Sequence, residues 1–323
     1  MNHDHSSHSH SNDTHSNDIH SHHDHSHGHH HHAPVLTNIT RSFWIGIALN
    51  SAFVLIEFTA GILTNSLALL SDAGHNLSDA AGLGLSLFAF KISRSKATSK
   101  FTYGFNKSTI LASLTNAIVL MIVVGSIGWE AIHRFRQPEE TKGNVMAIVA
   151  GIGILINSLS ALLFFREKDK DLNIKAAYMH LAIDAVVSVT VVIAGVVIYY
   201  TGLKWIDPMI SLVIMGVVVY STWGLLKESL YLSLDAVPQS LNIEKIRETA
   251  LQLKEVKDIH HIHVWAMSTT RNALTAHLVL NDALSEKQIS EVKHRVRHSL
   301  EHMNIQHVTL ETERESCKEV DCA

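Results

Sequence analysis

Residues 176–200 read AAYMHLAIDAVVSVTVVIAGVVIYY, an apolar run without Lys, Arg or Glu, interrupted by His180 and Asp184. It is longer than the roughly 20 residues an α-helix needs to cross the hydrocarbon of a bilayer. Five more runs of this kind surround it, at residues 43–63, 67–90, 108–132, 145–165 and 206–230. Their connections are short, and that between the first two is only Thr64, Asn65 and Ser66. A soluble helical core would not supply six uninterrupted spans so poor in charge. The composition agrees: hydrophobic residues are 46% and charged residues 17%, against roughly a quarter charged in soluble domains.

Basic residues around the spans set an orientation. The second-to-third connection carries Lys91, Arg94, Lys96, Lys100 and Lys107, and the fourth-to-fifth carries Arg166, Lys168, Lys170 and Lys175. The opposite side has Arg134, Arg136 and Lys142 in one loop and Lys204 in another. The richer side is expected in the cytoplasm, and an even number of spans puts both termini there. The expected fold is thus an α-helical membrane domain of six transmembrane helices at residues 33–236.

The flanks differ in kind. Residues 1–32 are a low-complexity tract of His, Ser, Asp and Asn. It has too little apolar surface to fold, so it is expected to stay disordered. His interleaved with Asp and Ser from His3 onward reads as a metal-gathering tail rather than a purification tag. Residues 237–314 read as a small cytoplasmic α+β domain in the order αββαβ. Residues 243–253 form an amphipathic helix, and residues 261–267 and 273–280 alternate as half-buried strands, with a turn expected at Asn272. Ser285 and Gln288 have capping-box spacing for a helix running to about His302, and residues 307–313 alternate again. Residues 315–323 form a tail with the chain's two cysteines, Cys317 and Cys322. A domain this small has a modest core, which favours dimerisation. A net charge of -4 gives no support to nucleic-acid binding, which needs a basic face.

The second span contains His75 and Asp79, and the fifth contains His180 and Asp184. Each pair is His-x-x-x-Asp, and residues four apart share one face of a helix. Two such pairs offer two imidazole nitrogens and two carboxylates, enough for a tetrahedral Zn²⁺ site. With helix starts near Leu67 and Leu172, Asp79 and Asp184 each lie roughly 18 Å along their helices, so the pairs meet near mid-membrane. Ionisable groups at that depth cost a few kcal/mol each and mark function. Asp72 and Glu57 are expected along the ion pathway or in support of the ligands. Because protons compete with metal for imidazole, an inward proton gradient can drive metal outward by rocking of helices around the site.

A second group of ligands follows in the soluble part: His260, His261, His263, His277, His307, Glu313, Cys317 and Cys322. Alternation puts His261 and His263 on one strand face, with His260 on the other or at a turn. Which of these share an ion is open at this stage. A membrane metalloenzyme is disfavoured because no His-Glu-x-x-His occurs, so no enzymatic activity is expected. A sensor with a membrane anchor leaves the duplicated pairs without a purpose.

These motifs resemble the cation diffusion facilitator family, near its bacterial zinc-exporting branch. The resemblance rests on the stretch from Asn65 to His75 (NSLALLSDAGH), Tyr103-Gly104-Phe105, and His180 to Asp184. It continues in Leu234 to Pro238, His260 to Trp265, and His307 to Leu310. The resemblance implies a homodimer in a bacterial inner membrane and Zn²⁺/H⁺ antiport, with Cd²⁺ as a second substrate. It also implies a transport site at His75, Asp79, His180 and Asp184. The cytoplasmic domain would resemble a metallochaperone and bind regulatory zinc, with His260, His277, His307, Glu313, Cys317 and Cys322 the candidates by position. Asn106 stands where many relatives carry His after Tyr-Gly-(Trp/Phe), which removes a ligand from the loop site those relatives have.

Overall fold

The computed structural model of the chain describes residues 41–165, 172–282 and 284–314. Six long helices come first: α1 (Arg41–Thr64), α2 (Leu67–Ser93), α3 (Ser108–Arg136), α4 (Gly143–Phe165), α5 (Leu172–Thr201) and α6 (Ile206–Ser233). Each expected span is a helix. Among the described residues, Ser108–Arg136, Gly143–Leu162, Tyr178–Thr201 and Ile206–Ser233 are long and apolar enough to cross a membrane, with mean hydropathy from 2.0 to 2.6. Within α1 the described apolar stretch is the shorter Ser51–Thr64. α2 is less apolar because it carries Ser71, Asp72, His75, Asn76, Ser78 and Asp79.

The bundle is apolar on its outside as well as inside. Phe53, Leu69, Val124, Met146, Val191 and Ile214 pack its centre, while Leu63, Trp129, Leu155 and Tyr220 are more than half exposed. Surface of this kind suits lipid and would associate in water. α4 and α5 lie closest together, because a Cβ on Gly195 would sit 2.8 Å from Ala147 N and 2.8 Å from Gly143 O. Small residues allow backbones in lipid to approach in this way. Gly195→Val is therefore expected to cost about 1–3 kcal/mol by overpacking. A thermal midpoint in detergent equal to that of the unsubstituted chain would contradict this.

The far end of the bundle, away from the sheet described below, is tied by two polar anchors. Asp207, at the start of α6 and fully buried, accepts from Ser66 Oγ at 2.7 Å, Leu67 N at 2.8 Å and Ala68 N at 3.2 Å. It thus caps the N-terminus of α2, where the helix dipole favours an anion. Asn65 joins α1 to α2 in the left-handed region (φ 56°), which asparagine tolerates. Arg134 of α3 donates to Asn65 O at 2.6 Å and to Asn65 Oδ1 at 2.7 Å. The Asn65 amide and the Arg134 guanidinium hold the Glu139 carboxyl below the usual carboxylate range.

The second unit contains α7 (Ile243–Leu251), β1 (Val256–Ser268), β2 (Arg271–Leu280), α8 (Glu286–His302) and β3 (Ile305–Glu313). This is the expected αββαβ order. The sheet runs β1-β2-β3, with β1 antiparallel and β3 parallel to β2. The parallel pair needs a crossover, and α8 supplies it. α8 opens with the capping box of Ser285 and Gln288. Ile246, Ile259, Leu274, Leu278, Val296 and Leu300 form the core.

Two local expectations are corrected. The turn between β1 and β2 is Thr269–Thr270, not Asn272. Ser268 Oγ accepts from Thr270 N at 3.2 Å, so hydroxyls satisfy the turn, and Asn272 lies in β2 with Nδ2 donating to Asn304 O at 2.9 Å. β1 also begins at Val256 rather than at 261, and its register shifts between His260 and His263. His261 has φ 51° there, so a bulge breaks the alternation that put His261 and His263 on one face.

Among the described residues, Lys107 Nζ of the bundle meets Asp235 Oδ1 just beyond α6 at 2.6 Å, and the units themselves touch where Thr269 N donates to Thr109 Oγ1 at 3.1 Å. The Tyr103 and His307 rings meet edge to face with centroids 5.3 Å apart.

Candidate metal site in the helical bundle

α2 and α5 bring their His/Asp pairs together. His180 Nε2 lies 3.1 Å from Asp79 Oδ2 on the other helix and 3.4 Å from Asp184 Oδ2 on its own. His75 Nε2 lies 3.5 Å from Asp79 Oδ2, and the two imidazole centroids are 5.8 Å apart. Ligand atoms of His75, His180 and Asp184 all fall within 4.8 Å of one another. A tetrahedron with ligands about 2.05 Å from Zn²⁺ has edges of about 3.3 Å. The carboxylate-to-imidazole separations match such edges, with Asp79 reaching both imidazoles from beside the three-residue group.

Accessibility changes along the helices. Side-chain exposure is 33% for Asp79 and 29% for His180, nearest the sheet unit, and 3% for Asp184. Toward the far end Asp72 is 1% exposed and Glu57 0%. The cluster therefore sits at the bottom of a part of the bundle that is looser on the sheet side and sealed beyond. Asp72 accepts from Ser188 Oγ of α5 at 3.4 Å and faces Asn76 Nδ2 at 3.5 Å. Asn76 and Ser188 escaped the sequence reading, although each stands four residues after a carboxylate already noted (Asp72, Asp184). Asp207 was also missed, since an acid in a helix's first turn is ordinary and its partners lie far away in sequence.

A second cluster spans the sheet. His277 Nδ1 of β2 lies 2.6 Å from Glu313 Oε1 of β3, and His260 Nε2 of β1 lies 3.3 Å from Glu313 Oε2. These three offer ligand atoms within 4.8 Å of one another. Glu311 stands 3.6 Å from His277 Nε2. The bulge turns His261 onto His277, with rings stacked at 4.7 Å. Burial, with His277 and His260 beside it, pushes the His261 imidazole below its usual range. His263 is exposed beyond the bulge, opposite Thr275. His307 pairs with Ala273 near the other end of β3 and turns to Tyr103, apart from the cluster. Cys317, Cys322 and the His-rich tail lie outside the described residues, as do Arg166, Lys168 and Lys170.

A six-helix apolar bundle with a His/Asp cluster inside, followed by a small α+β unit with a His/Glu cluster, defines a multi-pass membrane protein with two clusters of the side-chain types that bind metals. The cation efflux transmembrane domain matches residues 43–232, and the cation efflux protein cytoplasmic domain matches residues 238–315. The chain belongs to the cation efflux (cation diffusion facilitator) family. It is 36% identical over 292 residues to the zinc transporter ZitB of Escherichia coli, covering 88% of this chain and 91% of that one. It is 34% identical over 268 residues to a cadmium, cobalt and zinc/H(+)-K(+) antiporter of Bacillus subtilis, covering 82% and 86%. The cation efflux system protein CzcD of an Alcaligenes strain is 34% identical over 284 residues, covering 88% and 89%.

Proposed function

We propose that the chain exports Zn²⁺, and Cd²⁺ as a second substrate, from the cytoplasm in exchange for protons. The observation that carries this reading is the cluster of His75, Asp79, His180 and Asp184, with carboxylate-to-imidazole separations of 3.1, 3.4 and 3.5 Å. Two imidazoles and two carboxylates suit a borderline cation such as Zn²⁺ better than Mg²⁺ or Ca²⁺, which take oxygen ligands. The names of the relatives, zinc transporter and cadmium, cobalt and zinc/H(+)-K(+) antiporter, agree with this chemistry.

The cycle runs as alternating access. With both termini and the sheet unit in the cytoplasm of a bacterial inner membrane, the looser side of the cluster faces that compartment, and metal enters past Asp79 and His180. Helices then rock to open the sealed side, and protonation from that side releases the ion. Domain limits of 33–236 and 237–314 divide these roles. The reading has no catalytic step, and the bound metal is cargo.

The sheet unit acts as a dimerising and sensing domain. The domain family it matches is named for dimerisation, and His260, His277 and Glu313 supply a regulatory zinc site. His277→Ala is expected to weaken metal affinity of this site at least about 10-fold without removing the intramembrane site. Titration of the full chain that shows no loss of a binding class would contradict this.

The test of the transport reading is uptake by inside-out vesicles holding the full chain. Zn²⁺ and Cd²⁺ should accumulate, faster with an acidic interior than with no pH gradient. Equal flux with and without the gradient, and no proton counterflow, would overturn the exchange. No accumulation at all would overturn transport.

A further inference from the structure

Beyond the His/Asp cluster, toward the sealed end, a second polar group is enclosed by α1, α2 and α5. Glu57 and Ser188 are 0% exposed, and Asp72 and Asn76 are each 1% exposed. The Glu57 carboxyl neighbours the Asp72 carboxyl and the Asn76 amide. Ser188 Oγ and Asn76 Nδ2 both direct hydrogens at Asp72, at 3.4 and 3.5 Å. The Glu57 oxygens and Asn76 Oδ1 are fully enclosed and meet no donor at good hydrogen-bond geometry, the Asp72 carboxyl and the Asn76 amide being the polar groups beside Glu57. All three of these buried atoms are acceptors, so the group lacks positive charge or hydrogens.

Charge makes the same point. α1, α2 and α5 carry Arg41, Lys91 and Lys175 only near their ends, and α4 has no Lys or Arg. Around Glu57 the titratable neighbours are Asp72 from α2 and Asp184 from α5; α4 contributes none. His75 acts on Asp72 from their shared helix. Two adjoining carboxyls in a medium of low dielectric cannot both be ionised without a compensating cation. The group holds no imidazole or thiolate, so it suits Zn²⁺ less well than the His/Asp cluster beside it. A proton needs only two facing oxygens.

We propose that Glu57 and Asp72 hold the returning proton of the exchange, at a site separate from the four metal ligands. The proposal rests on the exchange reading above and assigns the counter-ion its own residues. A divalent ion arriving at His75, Asp79, His180 and Asp184 repels the proton on the neighbouring pair. The carboxyl O–H then breaks, the electron pair stays on the carboxylate, and the proton leaves through the looser, sheet side of the bundle to cytoplasmic water. Reprotonation favours metal release, so the two ions compete through space rather than for one set of atoms.

The test uses full-length protein in proteoliposomes, with metal flux and internal pH followed together for wild type, E57Q and D72N. E57Q should bind Zn²⁺ within about twofold of wild type, and its ratio of flux with a pH gradient to flux without one should fall to about one. Proton counterflow should vanish in E57Q and D72N. The infrared band of a protonated carboxyl, lost from wild type on adding Zn²⁺, should be missing from the E57Q difference spectrum. Undiminished counterflow and an unchanged band in E57Q would overturn the proposal, as would a large loss of Zn²⁺ affinity, which would make Glu57 a structural group. Wild type that moves no metal would contradict the transport reading, while the infrared comparison would still decide the role of Glu57.

Discussion

Asp184→Ala is expected to lower metal flux at least about 100-fold, more than the 10- to 100-fold lost when a mere supporting partner of a ligand is removed. Asp184 is the most buried member of its cluster, 3% exposed at the side chain, and its Oδ2 atom lies 3.4 Å from His180 Nε2. Removing it takes away one anionic ligand and leaves His180 facing Asp79 alone across the helices, at 3.1 Å. Asp184 lies among the other members of the cluster rather than in the apolar packing of the bundle, so the fold should survive. Binding at His260, His277 and Glu313 should be unchanged, since that cluster lies in the sheet unit. Flux close to wild type, with normal amounts of folded protein, would contradict the assigned ligand. An Asp184→Asn variant keeps the shape and loses the charge, so flux intermediate between the two would weigh the charge against the geometry.

The second large effect concerns stability. Asp207→Ala leaves the Ser66 hydroxyl and the Leu67 and Ala68 amides without their buried acceptor, after contacts of 2.7, 2.8 and 3.2 Å. A hydrogen bond to a charged group contributes about 1.5–3 kcal/mol, so three of them lost together should cost several kcal/mol. The loss also removes an anion from the N-terminus of α2, the helix that carries His75 and Asp79. The expected result is a sharply lower thermal midpoint in detergent, with lower yield of folded protein. Asp207→Asn should be milder, since one carbonyl oxygen still accepts. A thermal midpoint for Asp207→Ala within experimental scatter of wild type would show that the anchor is not needed.

Much of the bundle was legible in the sequence because spanning lipid imposes a length and an apolar composition on a continuous run of residues. The stretch at 176–200 needs no partner to be read as a helix, and α5 indeed covers Leu172–Thr201. The duplicated His-x-x-x-Asp was legible for a similar reason: helix geometry alone puts each pair on one face, and the depth estimate then brought the two faces level. The 3.1 Å contact between His180 and Asp79 shows the two helix faces level with each other.

The sheet unit was harder to read because strands take their register from partners. Alternation grouped His261 with His263, whereas pairing with β2 forces a bulge between His260 and His263. That bulge carries His260 toward Glu313 and leaves His263 exposed. His307 looked like a natural third imidazole, yet parallel pairing sets it opposite Ala273, while Glu313 reaches Val279 and the His277 side chain. Asn272 reads as a turn residue by composition, but Ser268 had already satisfied the turn. Asp207 and Asn76 were opaque for another reason. Their importance lies in helices packed against them, and no local pattern announces it.

The most direct measurement is a zinc-edge anomalous map of the full-length protein crystallised with Zn²⁺. A peak bounded by His75, Asp79, His180 and Asp184, each contributing an atom about 2.0–2.2 Å away, is the result expected here. Zinc confined to His260, His277 and Glu313, with no peak among the four bundle side chains, would contradict the account.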